Sequence, residues 1–279
     1  MGAYFRSFWL PALMPHELPE PDCPPVRLKL LGENLVAFRD TSGRIAFLAD
    51  SCPHRGASMF FGRNEENGLR CVYHGWKFDV TGACVDMPNE PAESNFKHNI
   101  RATAYPGAEW GGVVWVYMGS TFQPPELPNM EWCTVPSSHR FVKRWVHEAN
   151  WAQAVEGDID TSHAPFLHGV VGKPSARGWV SDDLSPVLTV RETDYGFVYG
   201  GRLKAKDGRH YWRLTQWMLP CFSIIASDTY PKLGHCYIPI DDEHTNVFGY
   251  YYHGDRPLTE DEYNYPASGK GVVPPTRPG

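Results

Sequence analysis

The chain has 279 residues, 42% of them hydrophobic and 21% charged, with a formal net charge of −6. That composition is globular rather than disordered, and the negative balance argues against a general nucleic-acid binder. The 26 Gly, 25 Pro, 10 Trp, 14 Tyr and 14 Phe point to a turn-rich, strand-heavy chain, long enough to bury a core without disulfides.

The apolar stretch Phe8–Met14 is interrupted by Pro11 and is too short for a secretory signal, so no targeting segment is read there. No window approaches the about 18 apolar residues of a membrane span. Seven scattered cysteines read as thiols kept reduced. The expectation is a soluble, cytoplasmic protein with neither a membrane nor a nucleic acid as partner. From Val26 to Leu48, strand-like runs (Leu28–Leu31, Leu35–Phe38, Ile45–Leu48) flank the turn Thr41-Ser42-Gly43, the pattern of a hairpin. Val72-Tyr73, Lys77–Val80 and Val113–Met118 are further strand candidates. Residues 1–120 read as a small all-β module and the Pro-rich stretch 121–136 as a linker. In the second domain, 137–279, Glu148–Leu167 is the best helix candidate. Strand-like runs follow at Val187–Val190, Gly196–Leu203, Trp212–Met218 and Val247–Tyr252. Ser268–Gly279 is Gly/Pro-rich, a segment on which a domain seldom ends, so the chain is expected to be C-terminally incomplete.

Cys52-Pro53-His54 and Cys71-Val72-Tyr73-His74 lie sixteen residues apart, each a tight turn carrying one thiolate and one imidazole. A Cys2His2 zinc finger presents two cysteines and then two histidines. One of each per loop suits a binuclear centre with different ligands on its two irons, and a structural zinc site is the plain alternative. Gly56 and Gly75 follow closely, where the backbone must turn sharply. Cys52-Pro53-His54-Arg55-Gly56-Ala57 and Cys71-Val72-Tyr73-His74-Gly75-Trp76-Lys77-Phe78-Asp79 resemble the two ligand loops of a Rieske [2Fe–2S] domain almost letter for letter. The resemblance implies that Cys52 and Cys71 hold the inner iron and His54 and His74 the outer one, which gains the electron. Imidazole ligands raise the potential, to roughly −150 to +300 mV across the class.

About 90 residues further on, Asp160, His163 and His168 form the pattern Asp-x-x-His-x-x-x-x-His. On a helix Asp160 and His163 share a face and are within hydrogen-bonding reach. His163 and His168 would stand roughly 140° apart, and Pro165 offers a break that brings both to one metal. By itself the spacing is weak. Together with the Rieske motif it resembles the mononuclear iron site of Rieske oxygenase α subunits, and the wording around it the phthalate 4,5-dioxygenase branch. The resemblance implies that His163 and His168 belong to a 2-His-1-carboxylate triad holding Fe(II). Asp160 would be the carboxylate that bonds His163 and reaches His74 of a neighbouring subunit. Glu156 and Asp158 read as ordinary surface carboxylates. The family's third iron ligand lies further downstream, and Asp228, Asp241, Asp242 and Asp255 stand in no such context.

The fold class implied is α+β: an N-terminal all-β Rieske [2Fe–2S] domain, then an α+β catalytic domain with a central antiparallel sheet. The function implied is that of the oxygenase component of a ring-hydroxylating system. It would use O2, and NADH electrons delivered by a separate reductase, to dihydroxylate or monooxygenate an aromatic, carboxylate-bearing substrate. Subunits of the family pack head-to-tail, so a homotrimer or hexamer is expected. The readings from other classes are an electron-transfer Rieske protein without a working mononuclear iron site, and a zinc-stabilised binding protein. Around the cluster loops, Arg55, Arg63, Arg70 and Lys77 read either as a basic rim for an acidic reductase or as an ordinary solvated face.

Overall fold

Alternating apolar and polar side chains in β2 (Val26–Leu30) meet β3 (Glu33–Arg39) across a two-residue turn in which both Leu31 and Gly32 have positive φ. That turn twists with its strands and so sets the hairpin register. The computed structural model describes residues 2–91, 93–120, 123–167, 183–205, 207–227, 230–271 and 273–275. They divide between two compact units, Met1–Ser137 with Ile238–Asn246, and Ser138–Tyr237 with Val247–Gly279.

After the short helix α1 (Gly2–Arg6), the first unit is built on a six-stranded sheet. Its strands are β1 (Trp9–Leu13), β2, β3, β4 (Ile45–Ala49), β9 (Ala104–Trp110) and β10 (Val113–Tyr117), in the spatial order β1-β10-β9-β4-β3-β2. Every residue of β10 is buried. The remaining strands, β5 (Arg63–Glu65), β6 (Gly68–Arg70), β7 (Lys77–Phe78) and β8 (Cys84–Asp86), make a small antiparallel sheet. Phe38, Leu48, Met59, Leu69, Trp76 and Phe78 pack between strands of both sheets, and Cys52 and Cys71 belong to the same cluster. Val72-Tyr73, expected as strand, is instead an exposed turn. Its backbone folds around the Cys71–His74 spacing and has no strand to pair with.

Within the stretch expected as a linker, Glu131–Thr134 folds as α2. Trp132 is buried and stacks on Trp115 at 6.0 Å between ring centroids. Gly111, at φ +62°, leaves room for Cys133, whose Cα would lie 2.8 Å from any Cβ placed there.

The second unit presents a seven-stranded sheet. It comprises β11 (Arg140–His147), β12 (Val187–Thr193), β13 (Gly196–Lys204), β14 (His210–Met218), β15 (Phe222–Ile224), β16 (Lys232–Pro239) and β17 (Thr245–Tyr252). Their order is β11-β17-β16-β15-β14-β13-β12, antiparallel from β12 through β16. Asp241-Asp242-Glu243 lies in the turn between β16 and β17, as read from sequence. The helices are α3 (Trp151–Ile159), the single turn α4 (Ala164–Leu167) and α5 (Glu260–Ala267). Among the described residues no helix is long and apolar enough to cross a membrane.

Trp132→Ala removes a fully buried indole and should destabilise the first unit by about 3–5 kcal/mol. Urea unfolding followed by tryptophan fluorescence measures it; an unchanged midpoint would mean that α2 does not belong to the core.

Candidate metal centres

The two ligand loops of the first unit are built on one plan. In the first, Cys52 N–H donates to Ala57 O at 2.9 Å and Gly56 N–H to Cys52 O at 2.9 Å. In the second, Cys71 N–H donates to Trp76 O at 2.9 Å and Gly75 N–H to Cys71 O at 3.0 Å. Each closes five residues after its cysteine, and the fourth residue after it must adopt positive φ, +72° at Gly56 and +77° at Gly75. Glycine reaches that conformation without the Cβ clash of other residues. At Gly75 a Cβ would also strike Pro88 Cγ at 2.7 Å.

Both sulfurs point inward, with Cys52 and Cys71 among the buried core residues, while the two imidazoles are only half-buried. The histidine rings meet at 4.4 Å between centroids, and His54 stacks on Trp76 at 4.3 Å and 9°. Trp76 is in turn fixed by its Nε1–H donating to Asn89 at 2.7 Å. Burial, with Cys71 adjacent, pushes the Cys52 thiol up, and His54 Nδ1 is shielded with no hydrogen-bond partner. A buried thiol pair beside an imidazole pair with an orphaned nitrogen is donor chemistry of the kind a metal takes. Its sorting by type, sulfur inside and nitrogen outside, fits a binuclear cluster with unlike irons.

The basic rim is corrected by the structure. Arg70 has 11% of its side chain exposed; it bonds Glu65 at 2.6 Å and Asp86 at 2.7 Å and donates to the Gly75 carbonyl at 2.7 Å. Lys77 pairs with Glu66 at 2.8 Å and Arg63 with Glu65 at 3.1 Å. These cations are neutralised locally, and Arg70 braces the turn after His74. Arg55, Val72 and Tyr73, within the loops, are exposed.

In the second unit Asn150 caps α3, accepting from Ala152 N–H at 3.0 Å. The helix stops at Asp160, which is extended at φ −72°, ψ 128°. Its freed carboxylate accepts from the backbone N–H of Ser162 at 2.7 Å and of His163 at 3.0 Å, and meets His163 Nδ1 at 3.0 Å. Thus the expected Asp160–His163 pair forms, but at a helix break rather than along a helix face. The break falls at Asp160, and Pro165 lies in the first turn of α4, where its missing N–H costs nothing. Burial opposes the charge on Asp160, yet the Ser162 amide and His163 outweigh it and hold the carboxyl below its usual range. A carboxylate on Nδ1 is the arrangement in which a histidine ligand meets a metal through Nε2. His168 lies outside the described residues.

Asp158 is not a surface carboxylate. With 11% of its side chain exposed, it accepts from the Ser223 hydroxyl and lies 2.9 Å from His235 Nδ1, with the Tyr237 hydroxyl also donating to it. Its partners stand 65 and more residues away on β15 and β16, so no local spacing announces them. Burial again opposes the charge, and the His235, Ser223 and Tyr237 donors overcome it and lower the carboxyl.

A family model of the Rieske [2Fe–2S] domain matches residues 8–105, and one described as "LigXa C-terminal domain like" matches residues 116–265. The chain belongs to the Rieske non-haem iron oxygenase α subunits. Within that family it falls in the phthalate 4,5-dioxygenase-like branch. It is 43% identical over 266 residues to the 3-chlorobenzoate-3,4-dioxygenase oxygenase subunit of Comamonas testosteroni, covering 92% of this chain and 61% of that protein. To the phthalate 4,5-dioxygenase oxygenase subunit of Pseudomonas putida it is 38% identical over 261 residues, covering 89% and 60%. The chain thus spans about three fifths of the length of these relatives. A fluorene-bound oxygenase in complex with ferredoxin, from carbazole 1,9a-dioxygenase, shares the fold with a TM-score of 0.69 at 23% identity, covering 93% of this chain and 75% of that one.

A carboxylate held below its unfolded value, about 3.9 for Asp, adds stability that is present above that value and lost as pH falls through the folded one. Asp158→Asn should therefore be less stable than the unaltered chain at pH 7 by about 1–3 kcal/mol. The difference should shrink below pH 4. Urea unfolding at both pH values checks this, and equal stability at pH 7 contradicts it.

Proposed function

We propose that this chain is the oxygenase component of a ring-hydroxylating system that oxidises an aromatic carboxylate with O2. The observation that carries the reading is the pairing of two differently built donor sets in a chain of this family. One is the twin Cys/His loops, the other an imidazole backed by a carboxylate at the end of α3.

In this reading Cys52, Cys71, His54 and His74 hold the [2Fe–2S] cluster, in a domain spanning residues 1–120. His163 and His168 hold a mononuclear Fe(II) in the domain 137–279, with 121–136 between them. When bound, these groups supply one-electron transfer and O2 activation. The chain's own residues do the positioning. Trp76 and Arg70 fix the outer loop, and the buried core around Cys52 and Cys71 keeps water from the sulfurs. Asp160 keeps the Nδ1 proton of His163 and thereby presents Nε2, while its two backbone acceptor bonds prevent the imidazole from swinging away. NADH enters only through a separate reductase, and the ferredoxin bound to the carbazole 1,9a-dioxygenase oxygenase supports a protein electron donor here. The branch supports an aromatic acid as substrate, since the similar proteins are named for phthalate and 3-chlorobenzoate. The assembly expected is a homotrimer or hexamer, in which Asp160 faces a neighbouring subunit's His74.

His163→Ala should abolish oxygenation of an aromatic acid while the visible and EPR spectra of the Rieske cluster persist. Retained oxygenation would remove His163 from the site. Asp160→Ala should lower iron affinity at that site by about 10–100-fold, the usual effect of losing the group that orients a metal ligand. Anaerobic Fe(II) titration reads it, and unchanged affinity speaks against the positioning role.

A further inference from the structure

Trp76 belongs to the second ligand loop, yet its indole lies face to face with His54 of the first, 4.3 Å between centroids and 9° from parallel. The residue is pinned from several sides. Its carbonyl accepts from Cys71 N–H at 2.9 Å, its Nε1–H donates to the Asn89 side chain at 2.7 Å, and Phe96 meets it edge-on at 6.4 Å. Only 5% of Trp76 is exposed. The ring beside His74 is of another kind, for Tyr73 at 3.9 Å is tilted by 44° and mostly exposed.

The two imidazoles thus stand in unlike surroundings. An indole stacked flat on an imidazole favours one plane for that ring, and the plane orients the nitrogen that the ring offers to a metal. The indole also keeps water off one face of His54, whose Nδ1 is shielded. The electrostatic consequence has a sign. A cluster of two ferric irons, two sulfides, two thiolates and two neutral imidazoles is uncharged, and the electron it accepts leaves one negative charge. Water stabilises a charged form more than an apolar wall does, so a wall that excludes water holds the potential down.

We propose that Trp76, held by Asn89, is a positioning residue that fixes the plane of His54 and lowers the reduction potential of the cluster by excluding water from that side. This role rests on the [2Fe–2S] cluster assigned to these loops and is independent of the second iron. One electron enters the cluster, and no bond to Trp76 forms or breaks.

Potentiometric titration of the full chain with dithionite reads the potential, and pulsed EPR of the reduced cluster reads the couplings of the two histidine nitrogens. Iron and acid-labile sulfide are counted on every sample. Trp76→Leu stays apolar, removes the stack and opens the face of His54 to water. It should favour the reduced form at least threefold, an upward shift of about 28 mV at roughly 59 mV per tenfold change for one electron. One of the two nitrogen couplings should change with it. Trp76→Phe restores an aromatic face and should recover most of both signals. Asn89→Ala, at an exposed position, releases the indole edge and should change the same coupling; it decides the matter if Trp76→Leu does not assemble its cluster. A potential that stays or falls in cluster-loaded Trp76→Leu, couplings that stay, or no recovery with Trp76→Phe overturns the proposal, as do unchanged couplings in Asn89→Ala. An unaltered chain that holds no cluster sinks the assignment of these loops and this role with it, and the iron and sulfide counts tell the two failures apart.

Discussion

Two carboxylates at the end of α3 hold the second unit's chemistry in place. Asp158, in the last turn, is drawn into the sheet by three donors from β15 and β16. Asp160, two residues on, ends the helix and turns its oxygens to Ser162 and His163. Because the first is buried, the helix cannot slide or rotate without stranding a charge away from water, which is expensive. The second therefore starts from a fixed point, and the imidazole it holds inherits that precision. Thr161, directly after Asp160, is buried against Gly201, whose missing side chain lets the backbone pass; a Cβ there would lie 2.8 Å from Thr161 Cγ2.

The first unit reaches the same end by a different route. There the ligands ride on loops, and loops are rigid only when something over-determines them. Here the paired backbone hydrogen bonds, the positive-φ glycines, the Trp76–Asn89 bond and the Arg70 bond to Gly75 all act on the same few residues. Of the charges that a count along the chain assigns to a docking rim, Arg70 and Lys77 are instead paired inward. Beside the imidazoles Val72 and Tyr73 are each more than half exposed, and Arg55 is exposed as well.

Much of this was legible in the residues because the chemistry is local. Cys52, His54, Cys71 and His74 sit within a few residues of the glycines that shape their turns, so spacing carries the geometry. The Asp160–His163 pair was legible for the same reason, although its backbone was not. An Asp favours the cap of a new turn as readily as a place along a helix face, and periodicity does not separate the two. Asp158 escaped because its partners, Ser223, His235 and Tyr237, come from distant strands, and a single carboxylate in Glu-Gly-Asp-Ile-Asp says nothing of them. The inward pairing of Arg70 and Lys77 escaped because it depends on how β5 to β8 fold together. Val72-Tyr73 misled in the opposite sense, for β-branched and aromatic residues favour strands only where a neighbour is available to pair.

The central claim is that one chain carries two iron centres of different kinds. Iron, zinc and acid-labile sulfide counted per chain on anaerobically purified protein test it most directly. The account predicts about three irons, two sulfides and no zinc, two irons from the cluster and one beside His163. Two irons with two sulfides would leave an electron carrier with an empty second site, and zinc without sulfide would contradict both centres.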